Sequence, residues 1–224
     1  MGTYSEISHW EEKMNLEIVS FYSDVDGNSY YSDHAKRLIQ ECETLGLKYD
    51  IKEKPSEGTY QKNCLSKPKY ILDKIFEKRK PFVWLDIDSY LFKQPDVFDS
   101  MPSQFDLGFA TSIPSLGGVK ASPIFVNVTE NAQKFIETWA YNANKTIVEN
   151  QKHFDHEPLF ALIQHFQPSM KLGYVGAEYC AWPKAQNENT VIMMGLSDVE
   201  SEKENLRAMG MSEGKIEWQS VGTI

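Results

Sequence analysis

The sequence is short of cysteine, of basic charge and of long apolar runs, and each shortage excludes a class of protein. Its three cysteines, Cys42, Cys64 and Cys180, form no Cys-x-x-Cys pair, which argues against a zinc site or a redox motif. The 23 Lys and Arg residues against 32 Asp and Glu give a net charge of −9 at pH 7, so we expect no nucleic-acid partner. No apolar run approaches the roughly 18 residues of a membrane span, and no transmembrane segment is predicted.

The first residues of the sequence are unlike a targeting signal, and we expect none there. Residues 1–16 are polar and acidic, unlike a signal peptide, and together with the unpaired thiols this predicts a cytoplasmic protein. A length of 224 residues with 25% charged and 12% aromatic residues indicates a folded chain with one full domain. We predict an N-terminal extension over 1–15 and a single domain over 16–224.

Segments with strand character alternate with segments whose apolar residues recur every three or four positions. The helix predicted over 31–45, for example, places Ala35, Leu38 and Cys42 on one face and ends before Gly46. The predicted strands are 16–22, 47–51, 82–85, 106–111, 122–128 and 191–194, and the predicted helices are 31–45, 66–77, 130–141, one that starts near 155, and 201–209. This order predicts an α/β domain with a mixed, mostly parallel central sheet flanked by helices.

The most informative segment is 82–92, in which four large apolar residues precede Asp86-Ile87-Asp88. A strand buried on both faces would deliver these aspartates at its carboxyl end, where open α/β sheets bind ligands. Because side chains alternate along an extended chain, Asp86 and Asp88 are expected on the same side. Two converging carboxylates repel each other unless a cation neutralises them, so the pair predicts Mn²⁺ or Mg²⁺ with a phosphate. The alternative is a solvated turn with helix-capping aspartates.

The apolar strand, the Asp-x-Asp sequence and the following Leu91-Phe92 resemble the metal-binding motif of GT-A fold glycosyltransferases. Residues 19–24 resemble the first strand and nucleotide-contacting turn of these enzymes, and residues 31–46 resemble their first helix. Residues 63–70 resemble the basic stretch before the motif, and residues 122–127 resemble the strand after it. The likeness extends over about residues 16–210. Within this family, the sequence is similar to small nucleotide-diphospho-sugar transferase domains, including those encoded by large DNA viruses. The resemblance implies a GT-A (Rossmann-like) domain.

The resemblance implies a nucleotide-sugar donor, a glycan or other hydroxyl acceptor, and Mn²⁺ or Mg²⁺ as cofactor. Asp86 would contact the ribose or the metal, and Asp88 would ligate the metal. The implied donor-binding residues are Phe21, Tyr22, Ser23, Asp24, Lys67, Asp86, Ile87, Asp88 and Gly118. Alternatives stay open for four of these positions: Phe21 and Tyr22 can belong to the core, Lys67 can be a solvated surface lysine, and Gly118 can belong to a hairpin turn.

The second chemical candidate is the segment 154–160, whose Asp155 and Leu159 match an Asp-Glu-x-x-Leu pattern of GT-A families. The likeness implies Asp155 as the catalytic base of an inverting transfer, with His156 and Glu157 as reserve candidates, because such a transfer needs one base near the acceptor hydroxyl. Asp155 can equally be the N-cap of the helix that follows, and the two roles are compatible.

One position departs from the family pattern. Many such enzymes supply a late His, in a turn after the last strand, as a third metal ligand, and this chain has Met194 there. A thioether is a poor ligand for a hard cation, so the metal would depend on Asp88, phosphates and water. The departure keeps a second function open, a non-catalytic module that binds a nucleotide sugar.

Other classes fit less well. Phosphatases of the haloacid-dehalogenase type also carry Asp-x-Asp, but their motif has Thr or Val at the position where this chain has Tyr90. Sugar nucleotidyltransferases carry a Gly-rich loop after the first strand, and P-loop NTPases carry a Walker sequence, and neither is present. The sequence predicts a metal-dependent hexosyltransferase that uses a UDP-sugar, first of all UDP-glucose, with inversion favoured. Acceptor recognition is expected from short loops, from a partner or from a flanking domain of a larger polypeptide.

Overall fold

A six-stranded sheet forms the centre of the computed structural model, which describes residues 14–24, 29–111, 119–183 and 185–195. The strand order is β2-β1-β3-β6-β5-β7, and β6 runs antiparallel to both of its neighbours while the remaining neighbours are parallel. The strands are β1 (Glu17–Tyr22), β2 (Lys48–Glu53), β3 (Phe82–Trp84), β5 (Leu107–Thr111), β6 (Val119–Val126) and β7 (Leu172–Val175). A separate antiparallel pair joins β4 (Tyr90–Leu91) to β8 (Ile192–Met193). The predicted fold class, a mixed and mostly parallel sheet flanked by helices, is confirmed.

Helices cover both faces of this sheet. The first core contains the apolar face of α1 (Tyr30–Leu45), and the second contains those of α3 (Lys67–Lys78), α4 (Glu130–Val148) and α5 (His156–Phe166). A short helix, α2 (Tyr60–Leu65), precedes α3. No helix in the described part of the chain is long and apolar enough to cross a bilayer.

Several elements differ from the sequence prediction. Helix α4 runs seven residues past the predicted end because Ala143 and Thr146 continue its buried stripe. β6 begins three residues earlier than predicted and ends two earlier. The sequence also missed α2, β4, β7 and a 3-10 helix over Asp96–Ser103, which are too short to show a clear period. The helix predicted over 201–209 and nearly all of the predicted extension 1–15 lie outside the described residues.

A buried ionic network fixes α3 against the sheet. Lys74 Nζ lies 2.8 Å from Asp50 Oδ2, and Lys78 Nζ lies 2.7 Å from the same oxygen and 2.9 Å from Glu17 Oε2. Burial alone would raise the pKa of Asp50, but the hydrogen bonds and charges of the two lysines lower it to about 2. The network sets the rotation of α3, so that Lys67 in the first turn of the helix points towards the sheet.

Candidate functional site

A pocket opens at the carboxyl ends of β1 and β3. The connection through α1 carries the chain to β2 on one side of β1, whereas β3 lies on the other side, so the pocket occupies the crevice where open α/β sheets bind ligands. Its lining residues are Phe21, Tyr22, Ser23, Tyr31, Tyr60, Asn63, Cys64, Lys67, Trp84, Asp86, Ile87 and Asp88. The structure thus brings together every predicted donor-binding residue except Asp24 and Gly118, and Gly118 lies outside the described residues.

The acidic pair lies in a turn and not in an extended strand. β3 ends at Trp84, and the backbone N–H of Ser89 donates to the carbonyl oxygen of Asp86 at 2.9 Å. The alternation argument for Asp86 and Asp88 was therefore wrong, although both side chains do line the pocket because the turn folds them to the same side. β1 holds the start of this turn, since Ser20 Oγ donates to the carbonyl oxygen of Leu85 at 2.6 Å.

Three neighbours fix the orientation of Asp86. Trp84 Nε1 donates to Asp86 Oδ1 at 2.9 Å, and Lys67 Nζ lies 2.8 Å from Oδ1 and 3.0 Å from Oδ2. The backbone N–H of Asp86 donates to Ser122 Oγ at 2.8 Å. The side chain of Asp86 remains 35% exposed, on the pocket side. Sequence reasoning missed Trp84 and Ser122, although Trp84 precedes Asp86 by only two residues.

Lys67 is buried, so the alternative of a solvated surface lysine is wrong. Its Nζ lies between Asp86 and Asp155, 2.5 Å from Asp155 Oδ2, and also donates to the carbonyl oxygen of Ala121 at 3.4 Å. The ammonium group thus makes an ion pair with each of the two carboxylates and donates hydrogen bonds to Asp86 and Ala121. Burial alone would lower the pKa of Lys67, but the two carboxylates raise it above its usual value, and the lysine stays charged.

Asp155 lies behind Lys67 and does not line the pocket. Its side chain makes no hydrogen bond to the backbone of α5, although the residue stands at the N-cap position, and it is 6% exposed. Trp139 Nε1 donates to its carbonyl oxygen at 2.8 Å and holds the backbone in place. A general base has to reach the acceptor hydroxyl, so this arrangement does not favour the predicted base role. The contact with Lys67 favours a positioning role for Asp155, and the base role stays a prediction.

Asp88 is the less constrained of the two acidic residues. Burial and the charge of Asp86 raise the pKa of Asp88 to about 7, so its ionised form is unfavourable without a cation. The pairing of β4 with β8 brings the turn at Met194 and Gly195 against it. A β-carbon on Gly195 would overlap both the backbone oxygen and the side chain of Asp88, so glycine is required there by close approach.

If the metal and the UDP-sugar predicted from the sequence bind in this pocket, the variant Gly195→Ala should displace Asp88 and weaken Mn²⁺-dependent binding of UDP-glucose by about tenfold or more, since a misplaced metal ligand loses affinity on that scale. Isothermal titration with and without Mn²⁺ measures this. The control is Met194→Leu, which keeps the volume of the side chain and removes only the sulfur, and which should bind as the wild type does. A tenfold loss in the control as well would show that the sulfur, and not the close approach at Gly195, matters.

The residues after β1 divide between the pocket and the scaffold. Phe21 packs on Tyr70 and Trp84, with ring centroids 5.0 and 5.6 Å away, so it contributes to the core as well as to the pocket wall. Ser23 Oγ donates to the carbonyl oxygen of Lys54 at 2.8 Å. Asp24 instead accepts the backbone N–H of Ser32 at 3.0 Å. Asp24 therefore satisfies a free amide in the first turn of α1 and does not line the pocket, and its predicted contact with the donor stays a prediction.

Neither the sequence as a whole nor its parts match a known family model, and no curated protein matches. Solved structures do. A glycosyltransferase involved in the glycosylation of the major capsid of PBCV-1 has a TM-score of 0.60 at 13% identity, over 86% of this chain and 99% of that one. The glycosyltransferase GlyE of Streptococcus pneumoniae TIGR4 has a TM-score of 0.53 at 11% identity, over 83% of this chain and 55% of that one. This chain has a glycosyltransferase fold. The predicted likeness to glycosyltransferases, viral ones among them, is confirmed at the level of fold.

The acidic pocket occupies a definite place in this glycosyltransferase fold, at the carboxyl ends of the first and third strands. The described residues contain no group of three or more His, Cys, Asp or Glu side chains placed to hold a metal ion. A cation in the pocket would thus have one protein ligand in Asp88, or two if Asp86 turned one oxygen towards it, and it would need oxygen atoms from a ligand to complete its shell.

Proposed function

We propose that the chain is a metal-dependent glycosyltransferase, which moves a hexose from a nucleoside-diphosphate sugar to an acceptor hydroxyl. UDP-glucose is the first donor to test. The observation that carries the proposal is the acidic pocket at the carboxyl end of β3, in a chain whose fold is shared with glycosyltransferases.

The charges of the pocket support the need for a metal. Among the described residues that line it, the charged side chains are Lys67, Asp86 and Asp88, and the ammonium group of Lys67 is already paired. A diphosphate brought to this pocket would meet an excess of negative charge. A divalent cation on Asp88 would reverse the sign of the local charge, so that the phosphates are attracted to the pocket.

The residues present fit such a cation when the donor completes the shell. Asp88 would hold it directly, and Asp86, fixed by Lys67 and Trp84, would contact the ribose or a second position on the metal. The cation would stabilise the negative charge that the leaving nucleoside diphosphate gains as the glycosidic bond breaks. Tyr22 lies in the wall of the pocket and offers a ring for the base.

Donor binding and donor hydrolysis test the proposal directly. UDP-glucose binding, measured by calorimetry, and UDP release, measured without any acceptor, should both require Mn²⁺ or Mg²⁺. Binding without turnover, with a full panel of hydroxyl acceptors, would instead identify the non-catalytic nucleotide-sugar module. Binding that is equal with and without the metal would contradict metal dependence. Inversion stays a prediction, to be measured from the anomeric configuration of the product.

The variant Asp155→Asn separates a base from a positioning residue. Because Asp155 acts through Lys67, we expect donor affinity, donor hydrolysis and transfer to fall together, by about 10- to 100-fold. A base would behave differently: transfer would disappear while donor affinity and donor hydrolysis persisted. The control is Glu149→Gln at the end of α4, where the side chain is 44% exposed. It should leave all three quantities unchanged.

A further inference from the structure

A second groove lies at the same edge of the sheet as the acidic pocket, on the far side of β6. It encloses about 540 Å³ between α5 and the carboxyl ends of β5 and β7. β3, β5 and β7 run in the same direction, so their carboxyl ends share one edge. At roughly 4.8 Å per strand, the groove lies about 10 to 14 Å from the end of β3, across the sheet from Asp86.

Two exposed aromatic rings lie in this groove. Phe160 on α5 is 39% exposed and Tyr174 on β7 is 46% exposed, whereas most large apolar side chains of the described chain are buried. Exposed rings cost free energy in water, so two of them in one concave surface indicate a ligand that covers them. Tyr174 pairs with Phe109 across β5 and β7, which places its ring on the face of the sheet covered by α4 and α5.

The polar groups of the groove are uncharged. Gln164 and Gln167 on α5 offer amide groups that both donate and accept hydrogen bonds. The lining residues that the structure describes include no charged side chain, although a quarter of the sequence is charged. This composition suits a neutral ligand and not a phosphate or a carboxylate.

Thr111 at the end of β5 points to the same conclusion. It is 6% exposed, it lines the groove, and its Oγ1 has no hydrogen-bond partner. A buried hydroxyl without a partner costs free energy, and a ligand hydroxyl in the groove would remove that cost.

We propose that this groove binds a neutral pyranose ring of a glycan acceptor, with the ring between Phe160 and Tyr174 and its hydroxyls on Gln164, Gln167 and Thr111. A pyranose has C–H groups on its faces, which suit aromatic rings, and hydroxyls around its rim, which suit amides. The proposal rests on the proposed function, and it names the acceptor class as well as where the acceptor binds. A glycan held here can extend one sugar towards the end of β3, where the donor would lie.

The test is direct binding of the methyl glycosides of glucose, galactose and mannose, measured by saturation-transfer NMR and titration without donor or metal. We expect at least one of them to bind, and the double variant Phe160→Ala/Tyr174→Ala to weaken that binding by about tenfold or more. The matched control is Phe76→Ala/Tyr141→Ala, which removes two exposed rings, 51% and 68% exposed, from α3 and α4. It should bind as the wild type does.

Thr111→Val adds a measurement that a general loss of folding would not reproduce. Removing a buried hydroxyl without a partner should leave the melting temperature unchanged or higher, whereas glycoside affinity should fall by a few fold. Loss of affinity together with a lower melting temperature would assign Thr111 a structural role and remove it from the site.

The failure of this proposal can be distinguished from that of the proposed function. Asp88→Asn should abolish donor binding and leave glycoside binding intact, because the two pockets lie at different strands. If UDP-glucose is hydrolysed but no glycoside binds, or if binding survives in Phe160→Ala/Tyr174→Ala, the groove is not the acceptor site. If glycosides bind in the groove and no nucleotide sugar is bound or hydrolysed, the sugar site stands and the transferase assignment fails.

Discussion

Asp88→Asn is expected to abolish Mn²⁺-dependent binding of UDP-glucose and to lower its hydrolysis on the order of 100-fold or more. Asp88 is the carboxylate best placed to ligate a cation, because Asp86 already accepts hydrogen bonds from Lys67 and Trp84. An amide oxygen carries no charge, so the variant would leave the diphosphate facing Asp86 alone. Calorimetry and a UDP-release assay, each with and without Mn²⁺, measure the two quantities.

A loss of folding should not contribute to this effect. Burial and the charge of Asp86 raise the pKa of Asp88 to about 7, so its ionised form is a liability for stability at pH 8. The neutral Asn removes that liability, and the free energy of unfolding in urea should not fall. The control Asp73→Asn replaces a carboxylate on α3 that is 56% exposed, and it should change neither activity nor stability. Metal-dependent donor binding that persists in Asp88→Asn would remove the acidic pair from the proposed mechanism.

The fold and the position of the pocket could be predicted from the sequence, because both follow from the spacing of apolar residues and from the order of strands and helices along the chain. Alternating strands and helices predict a parallel sheet, and Phe82–Trp84 predicts the buried strand that ends at the acidic pair. The strands that escaped prediction, β4 and β7, have two and four residues. Their pairing depends on partners distant in the chain, which a local pattern does not contain. β4 matters for the site, since its pairing with β8 brings Gly195 to Asp88.

The roles of single side chains were less predictable, because they depend on what lies across the pocket. Nothing near Lys67 in the sequence shows that Asp86, 19 residues later, and Asp155, still further on, enclose its ammonium group. Asp24 follows β1 where a donor contact was expected, yet the start of α1 folds back to give it the amide of Ser32. The sequence predicted many of the residues that line the pocket but neither Trp84 nor Ser122, and the structure shows which side chains hold one another in place.

The shared ammonium of Lys67 leads to the second large prediction, for Lys67→Met. With Lys67 replaced, the buried Asp155 would face the partly exposed Asp86 without a counter-ion, and breaking a buried pair such as Lys67–Asp155 costs about 3 to 5 kcal/mol of unfolding free energy. UDP-glucose binding should also be lost, because Asp86 would no longer be held in the pocket. Urea unfolding and calorimetry measure the two effects. The control Lys69→Met, two residues along α3 and 63% exposed, should stay within about 0.5 kcal/mol of the wild type.

The double variant Lys67→Met/Asp155→Asn distinguishes repulsion from lost packing. Removing one of the two carboxylates that lack a counter-ion should restore a large part of the stability, because the two single effects are coupled through the same contact. Donor binding should not return with it, since Asp86 would still lack the lysine that orients it. Additive losses of stability in the double variant would mean that repulsion between the two carboxylates is not the cause of the loss in Lys67→Met. Recovery of both stability and donor binding would mean that Asp86 needs no ammonium beside it, and that Lys67 serves folding alone.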